Sequence, residues 1–516
     1  MLILSMKILV ILFLAYVLFV HNLGAISLWD PDEPRQAIMA REMVERSDYI
    51  HPYLNGSPYT EKPPLFSWLI VLASKVGGGL NEFTARIPSA LCATGLLLMV
   101  FVMGRRFVDE DGGLLSALVL ATNYQFLGNS REAVMDMTFA FFIGASIFLA
   151  WFSVERRSRA LLVLAFLPAA FAILTKGPAG LVIPAAVILL YLFTTKRAKG
   201  FFLPLAGGCV ICLAIASLWF VLAGEAYARE FLLRQNLVRY TQGFDHVETA
   251  LYYLHKVFFN FLPWSILLPF SLIHAWKRKL WLPLIWFLFT FFFFEFSRSK
   301  RAIYLLPCYP ACALLVGIYV KDKWQSLVEG PWTKWLTRLF GLLLILLPIA
   351  ALVIMPPLKV YQTLFPTGGS LLAIPMILLA LVGSLFFYYL VRVLPQRSLR
   401  PLFTYLVVCG VLYHSFYMPA LNTHVKSPRL ITSQLPHDGS DIYLYRTHSP
   451  ALIYYLGGPV KVIMEPQEIP QGAQKVTVIA EKRPDSMRRL APLFGTIKEV
   501  RYEKDTYIIC ERHDGK

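Results

Sequence analysis

The sequence predicts an α-helical polytopic membrane protein of about thirteen transmembrane helices, followed by a small C-terminal α/β domain. Three observations predict it. Of 516 residues, 57% are hydrophobic and 16% charged, whereas a soluble globular domain carries about 25% charged residues. Apolar runs of roughly 17 to 23 residues recur, each long enough to cross about 30 Å of hydrocarbon as a helix. Short clusters of lysine and arginine fall between alternate runs, as cytoplasmic loops do. The net charge of +17 is thus accounted for by topology, and no nucleic-acid partner is expected.

The expected spans lie near 8–27, 86–104, 112–128, 137–154, 160–175, 179–194, 201–222, 257–274, 280–296, 303–319, 336–354, 370–391 and 402–419. The first follows Lys7 and runs on past Gly24 and Ala25 into Ile26 and Leu28, so it reads as an uncleaved span rather than a signal peptide. Basic clusters sit at Arg105–Arg106, Arg156–Arg159, Lys196–Lys199, Lys277–Lys279, Lys321–Lys323 and Arg392–Arg400. Placing them in the cytoplasm puts the N-terminus inside and the C-terminus outside. Pro63 to Gly77 is apolar but short, and reads as a helix lying on the membrane surface. Counting it as a span would send every later basic cluster outside.

The chain divides into a membrane domain, 1–420, whose first extramembrane loop is 29–85, and a C-terminal domain, 421–516. In the latter, strand-like runs begin at Ser440, Val460, Lys475 and Thr506, and helical runs cover Ala451–Leu456 and Met487–Leu493. Strands alternating with helices predict an α/β unit. Six of the seven cysteines lie in apolar runs and read as small hydrophobes.

Charges collect on the non-cytoplasmic face. Asp30, Asp32, Glu33 and Arg35 open the first loop, and Glu61 and Lys62 close its polar part. Arg131, Glu132 and Asp136 follow, then Lys176, then Asn236, Arg239, Asp245, His246 and Glu248, then Arg298, Lys300, Arg301 and Tyr304. Acid, base and metal-ligand types converging on one side of a bilayer point to a site. Lys62, between Glu61 and Pro63-Pro64, is the first candidate for a lipid phosphate, where fixed positive charge meets developing negative charge. Arg301, Lys300 and Tyr304 form a second cationic group at the mouth of a span. The alternative for each is snorkelling to headgroups. Asp30 or Asp32 caps a helix starting near Pro34, and Asp30 is preferred, which leaves Asp32 for chemistry. Arg35 joins it, or makes a surface ion pair. Asp136 contacts sugar or base, or pairs with Arg131.

The arrangement resembles a known family. Asp32-Glu33, Arg41-Glu42-Met43, His51 through Gly56, and Glu61-Lys62-Pro63-Pro64 look like the first periplasmic loop of the lipid A aminoarabinose transferases. These belong to the protein O-mannosyltransferase-like C-type glycosyltransferases. Further matches are Ala85-Arg86 with Pro88 to Leu91, Arg131 with Asp136, Thr175 to Pro178, Leu262-Pro263-Trp264, and Ser299-Lys300-Arg301 with Tyr304 to Pro307. The resemblance runs in order from roughly residue 25 to 320. It implies a C-type glycosyltransferase fold in a bacterial inner membrane, with site and C-terminal domain on the periplasmic side. The implied reaction moves a sugar, by default 4-amino-4-deoxy-L-arabinose, with inversion, from undecaprenyl phosphate to lipid A or a related glycolipid.

The resemblance further implies that Asp32 is the essential aspartate and Asp136 the second, and that Lys62 and Tyr304 contact the carrier phosphate. Arg35, Glu61, Arg131, Lys300 and Arg301 complete the set. It also implies a divalent metal, zinc or magnesium, on Glu61 and His246, with His255 as the alternative, although two ligands alone specify no metal. A hexose transferase acting on protein or glycolipid is the nearest alternative. A lipid-linked-sugar transporter would show paired repeats and polar residues near mid-membrane, and neither is seen.

Overall fold

The computed structural model describes residues 2–243, 245–329, 342, 381–383, 400–423, 427–436, 440–470, 475–502 and 505–513. Among the described residues, five helices are long and apolar enough to cross a membrane: Glu82–Phe107 (α4), Met135–Glu155 (α7), Arg159–Lys176 (α8 to Leu164, α9 from Leu167), Phe202–Ala223 (α11) and Ala302–Trp324. Shorter apolar helices include Met6–Val20 (α1 and its continuation), Ala179–Thr194 (α10), Trp281–Glu295 and Phe403–Tyr417. The spans expected near 336–354 and 370–391 lie outside the described residues except for 342 and 381–383. On α11, Leu203, Val210, Leu218 and Val221 are more than half exposed. Apolar surface of that extent marks a face that meets lipid rather than water.

Two expected spans differ from prediction. Residues 112–128 form Glu110–Ala121 (α5) and Tyr124–Asn129 (α6), interrupted where the Asn123 side chain caps the second piece through the Phe126 N–H. Residues 257–274 form Tyr252–Asn260 and Trp264–Arg278, which meet at 117° around Leu262–Pro263. Pro263 has no N–H for a helical bond and forbids a straight passage.

The first loop is mostly helical. Asp32–Arg46 (α2) carries Asp32 and Glu33 in its first turn, where carboxylates complement the helix dipole. It ends at Ser47, in the left-handed conformation. Asp30 does not cap it: the residue before the helix is Pro31, and no side chain bonds its first turn from that position. A hairpin, Tyr53–Leu54 (β1) with Ser57–Pro58 (β2), turns on Asn55-Gly56, both at positive φ. Leu65–Val76 (α3) is twelve residues, about 18 Å long, too short to span. It buries Phe66, Ile70 and Val71 against α2 residues Ala37, Ala40 and Met43.

The C-terminal residues form a five-stranded sheet in the order β4-β3-β5-β7-β6. The strands are Asp441–Tyr445 (β3), Lys461–Ile463 (β4), Lys475–Glu481 (β5), Thr496–Tyr502 (β6) and Asp505–His513 (β7). Strand β3 runs parallel to β4 and β5, and β7 antiparallel to β5 and β6. Alternation splits the buried residues between two faces. Val476, Val478, Ala480, Ile508 and Cys510 share one face, and Ile479 and Ile509 the other. The second face also takes Ile38 of α2, fully buried. The sheet's core and the first loop are therefore continuous.

Candidate functional site

Asp32 sits on the first turn of α2, facing the start of the Ala302–Cys308 turn. Its Oδ2 accepts from Arg301 Nη2 at 2.9 Å, and its Oδ1 from Arg35 Nη1 at 3.4 Å. Burial alone raises this carboxyl, but the Arg301 hydrogen bond and charge, helped by Arg35 and Lys176, hold it below the usual carboxylate range. Asp32 is thus anionic at neutral pH.

The next residue holds the loop in place. Glu33 accepts both bonds of a fork from Arg86 of α4, at 2.6 and 2.7 Å, and also the Trp29 and Ala133 N–H groups. Arg86 spends its other donors on the carbonyls of Leu23, Ile26 and Ser27. A buried pair needs its remaining donors and acceptors satisfied, and this one joins three segments around Asp32.

Lys62 lies across from these. The Tyr227 hydroxyl donates to the Lys62 carbonyl at 2.9 Å and to that of Tyr59, so the bend at Glu61-Lys62 is pinned. Lys62 lines a cavity of about 410 Å³ together with Lys176, Arg239, Asn236, Ser299 and Tyr304, while Phe139, Val182, Leu232, Leu237 and Phe293 supply apolar walls. Lys176 pairs with Asp136 and lies 4.2 Å from the Tyr304 ring centre. Arg239 pairs with Asp245 at 2.6 Å, and Asp245 accepts from Ser299. Among the described residues, Lys62 has no carboxylate partner. Burial first, then the charges of Arg239 and Lys176, push its ammonium down to about 8. A cation held this way is stabilised by any anion that enters.

Gly177 follows Lys176 at φ +115° and ψ −165°, a region open only to glycine. A Cβ there would lie 2.6 Å from Asn236 Oδ1 and 3.0 Å from Phe231. Gly177→Ala is expected to destabilise the protein by about 1–3 kcal/mol, read as a lower thermal unfolding midpoint in detergent. A variant as stable as wild type would contradict this reading.

The structure brings together Asp32, Arg35, Arg301, Lys62, Asp136 and Tyr304, and leaves other expected residues elsewhere. Arg131 donates to the Leu18 and His21 carbonyls at the end of the first helix, and Asp136 pairs with Lys176 instead. Lys300, 4% exposed, donates to Glu295 at 2.6 Å and to the Thr249 carbonyl. That ammonium is occupied within the fold, so a phosphate-binding role for it is not supported. Glu61 accepts from the Tyr59 hydroxyl, and His246 and His255 are both exposed. Among the described residues no group of three or more His, Cys, Asp or Glu is placed to hold a metal ion. Arg239, Lys176 and Tyr227 belong to the site and were not assigned from sequence. The signal for Lys176 was a lone lysine before Gly-Pro at a span end.

Comparison with known proteins follows the same lines. The model of the dolichyl-phosphate-mannose-protein mannosyltransferase family matches residues 61–221. A protein of Aquifex aeolicus is 31% identical over 368 residues, 70% of this chain and 72% of its own. The undecaprenyl phosphate-alpha-4-amino-4-deoxy-L-arabinose arabinosyl transferase 2 of Pseudomonas fluorescens is 28% identical over 69% of this chain and 62% of its own. ArnT from Cupriavidus metallidurans, solved bound to undecaprenyl phosphate, superposes with a TM-score of 0.77 at 23% identity, covering 97% of both chains. The chain belongs to the ArnT-like C-type glycosyltransferases. With that family comes the C-type fold of a multi-pass membrane protein. The aligned segment spans less than two-thirds of the P. fluorescens transferase, and 55% of a P. aeruginosa transferase that is 31% identical.

Proposed function

We propose that this ArnT-like protein is an inverting glycosyltransferase that moves a sugar from a polyprenyl phosphate to an envelope glycolipid at the periplasmic face of the inner membrane. The observation that carries the proposal is the cavity lined by Lys62, Lys176, Arg239 and Tyr304, whose one cation without a carboxylate partner among the described residues is Lys62. Its apolar walls suit a prenyl chain, and Lys62, with Arg239 and the Tyr304 hydroxyl, suits the phosphate. Positive charge fixed where the leaving phosphate gains charge stabilises the transition state more than the ground state.

In this reading the acceptor oxygen attacks the anomeric carbon from the face opposite the phosphate. The new carbon–oxygen bond forms as the anomeric carbon–phosphate oxygen bond breaks, and polyprenyl phosphate leaves. Asp32, anionic and aimed by Arg301, receives the proton of a hydroxyl acceptor. A phosphate acceptor is already anionic, and Asp32 then orients Arg35 or the sugar. Asp136, neutralised by Lys176, lies on the donor side.

The sugar to test first is 4-amino-4-deoxy-L-arabinose, which the Pseudomonas relatives carry in their names, and the acceptor to test first is lipid A. Purified protein in nanodiscs, given undecaprenyl phosphate aminoarabinose and lipid A, is expected to add one aminoarabinose mass to lipid A. No gain on lipid A, with transfer from another polyprenyl-linked sugar, would overturn the sugar and acceptor and keep the reaction class. No transfer from any polyprenyl-linked donor by folded protein would overturn the class.

A further inference from the structure

The C-terminal domain touches the catalytic loop on both sides of Asp32. Asp30 accepts the Ser449 hydroxyl on Oδ2 and the Ala451 N–H on Oδ1 at 2.9 Å. Just upstream, the Tyr455 hydroxyl accepts the Leu28 N–H at 2.8 Å and donates to Glu82 of α4. Ser27 bonds Asn422 and Ser427. Downstream, Ile38 is buried in the sheet's core. The Asn55 amide exchanges both its bonds with the Val460 backbone, at 2.7 and 2.9 Å. These anchors come from the sheet domain or the segment leading into it and bracket α2 from residue 27 to 55, beside the fork from Arg86 of α4 that holds Glu33.

We propose that the C-terminal domain is a positioning element of the transferase, and that Asp30, held by Ser449 and Ala451, is the positioning residue that fixes the first turn of α2 so that Asp32 meets Arg301. Only Pro31 separates Asp30 from Asp32, so freedom at Asp30 passes directly to the reacting carboxylate. Misplacement of a reacting group by about 1 Å costs as much as about 100-fold in rate. The role needs hydrogen bonds, not charge. An asparagine at 30 keeps both: its oxygen accepts from Ala451, and its amide donates to the Ser449 hydroxyl oxygen.

The kinetic arm of the test rests on the sugar transfer proposed above; the hydrogen-exchange arm does not. In full-length protein, Asp30→Ala and Ser449→Ala are expected to lower kcat by about 10- to 100-fold with donor KM within about twofold. Asp30→Asn is expected to restore kcat. The double variant is expected to be no worse than the worse single one, as for residues acting through one contact. Amide exchange in peptides covering 29–37 is expected to quicken in both alanine variants and to match wild type in Asp30→Asn. Unchanged kcat with unchanged exchange in Asp30→Ala would overturn the proposal. So would an Asp30→Asn variant as inactive as Asp30→Ala, which would assign Asp30 a charge role in the reaction. Wild-type protein without any transferase activity would refute the reaction, while exchange alone would still decide whether Asp30 orders the turn.

Discussion

Replacing Asp32 by asparagine is expected to abolish sugar transfer, lowering kcat by about 100- to 10,000-fold, the range of a positioned proton acceptor. The substitution keeps shape and removes charge. It leaves Arg301 and Arg35 without the carboxylate they share, so the developing charge balance at the acceptor is lost along with the proton acceptor. The fold should survive, because the Asp32 side chain is 35% exposed, and Arg301 keeps its backbone contacts with Tyr253 through the N–H and the carbonyl. Single-turnover kinetics on folded, membrane-inserted protein would measure it. A variant with wild-type kcat would remove Asp32 from the mechanism.

Lys62→Ala is expected to weaken the donor rather than the chemistry alone. A hydrogen bond to a charged group is worth about 1.5–3 kcal/mol, or roughly 10- to 100-fold in donor affinity. Acidity gives a second signature. With its pKa lowered to about 8 by burial and by the charges of Arg239 and Lys176, Lys62 loses its proton above that pH in the free enzyme. A bound phosphate holds the proton on. Donor affinity should therefore be flat below pH 8 and fall about tenfold per unit above it, until the complex itself deprotonates. Lys62→Ala should lack this basic limb. Unchanged donor affinity, or a basic limb that survives the substitution, would count against a phosphate role.

Local chemistry was legible in the sequence. Asp32, Lys62, Tyr304 and Arg301 sit in short polar runs at the ends of apolar segments, where a charge needs a reason, and all four reach the site. The α/β character of the C-terminal domain was legible because strand and helix runs alternate. Pairings across distance were not. Arg131, five residues before Asp136, is the near partner the sequence offers as the alternative to a site role, yet Lys176, forty residues on, pairs with Asp136. Lys300 neighbours Arg301, but Glu295 and Thr249 consume its ammonium. Asp30 looks like a cap for the helix it precedes, and instead bonds residues more than 400 positions away. Each correction has one cause: a polar side chain takes the best buried partner in three dimensions, and the sequence shows neither a distant partner nor the choice among near ones, as with Glu295 five residues before Lys300. The bend at Leu262–Pro263 was hidden because apolar residues continue on both sides of it.

The central claim is that the cavity at Lys62 holds a polyprenyl phosphate, and the direct measurement is binding of undecaprenyl phosphate to purified protein in nanodiscs at pH 7.5 and pH 9.5. The account predicts saturable binding at the lower pH, weaker by about tenfold or more at the higher one, and, in Lys62→Ala, binding reduced at pH 7.5 to near the wild-type level at pH 9.5, with no remaining difference between the two pH values. Binding that is equal in wild type and Lys62→Ala, or that ignores pH in the wild type, would contradict it.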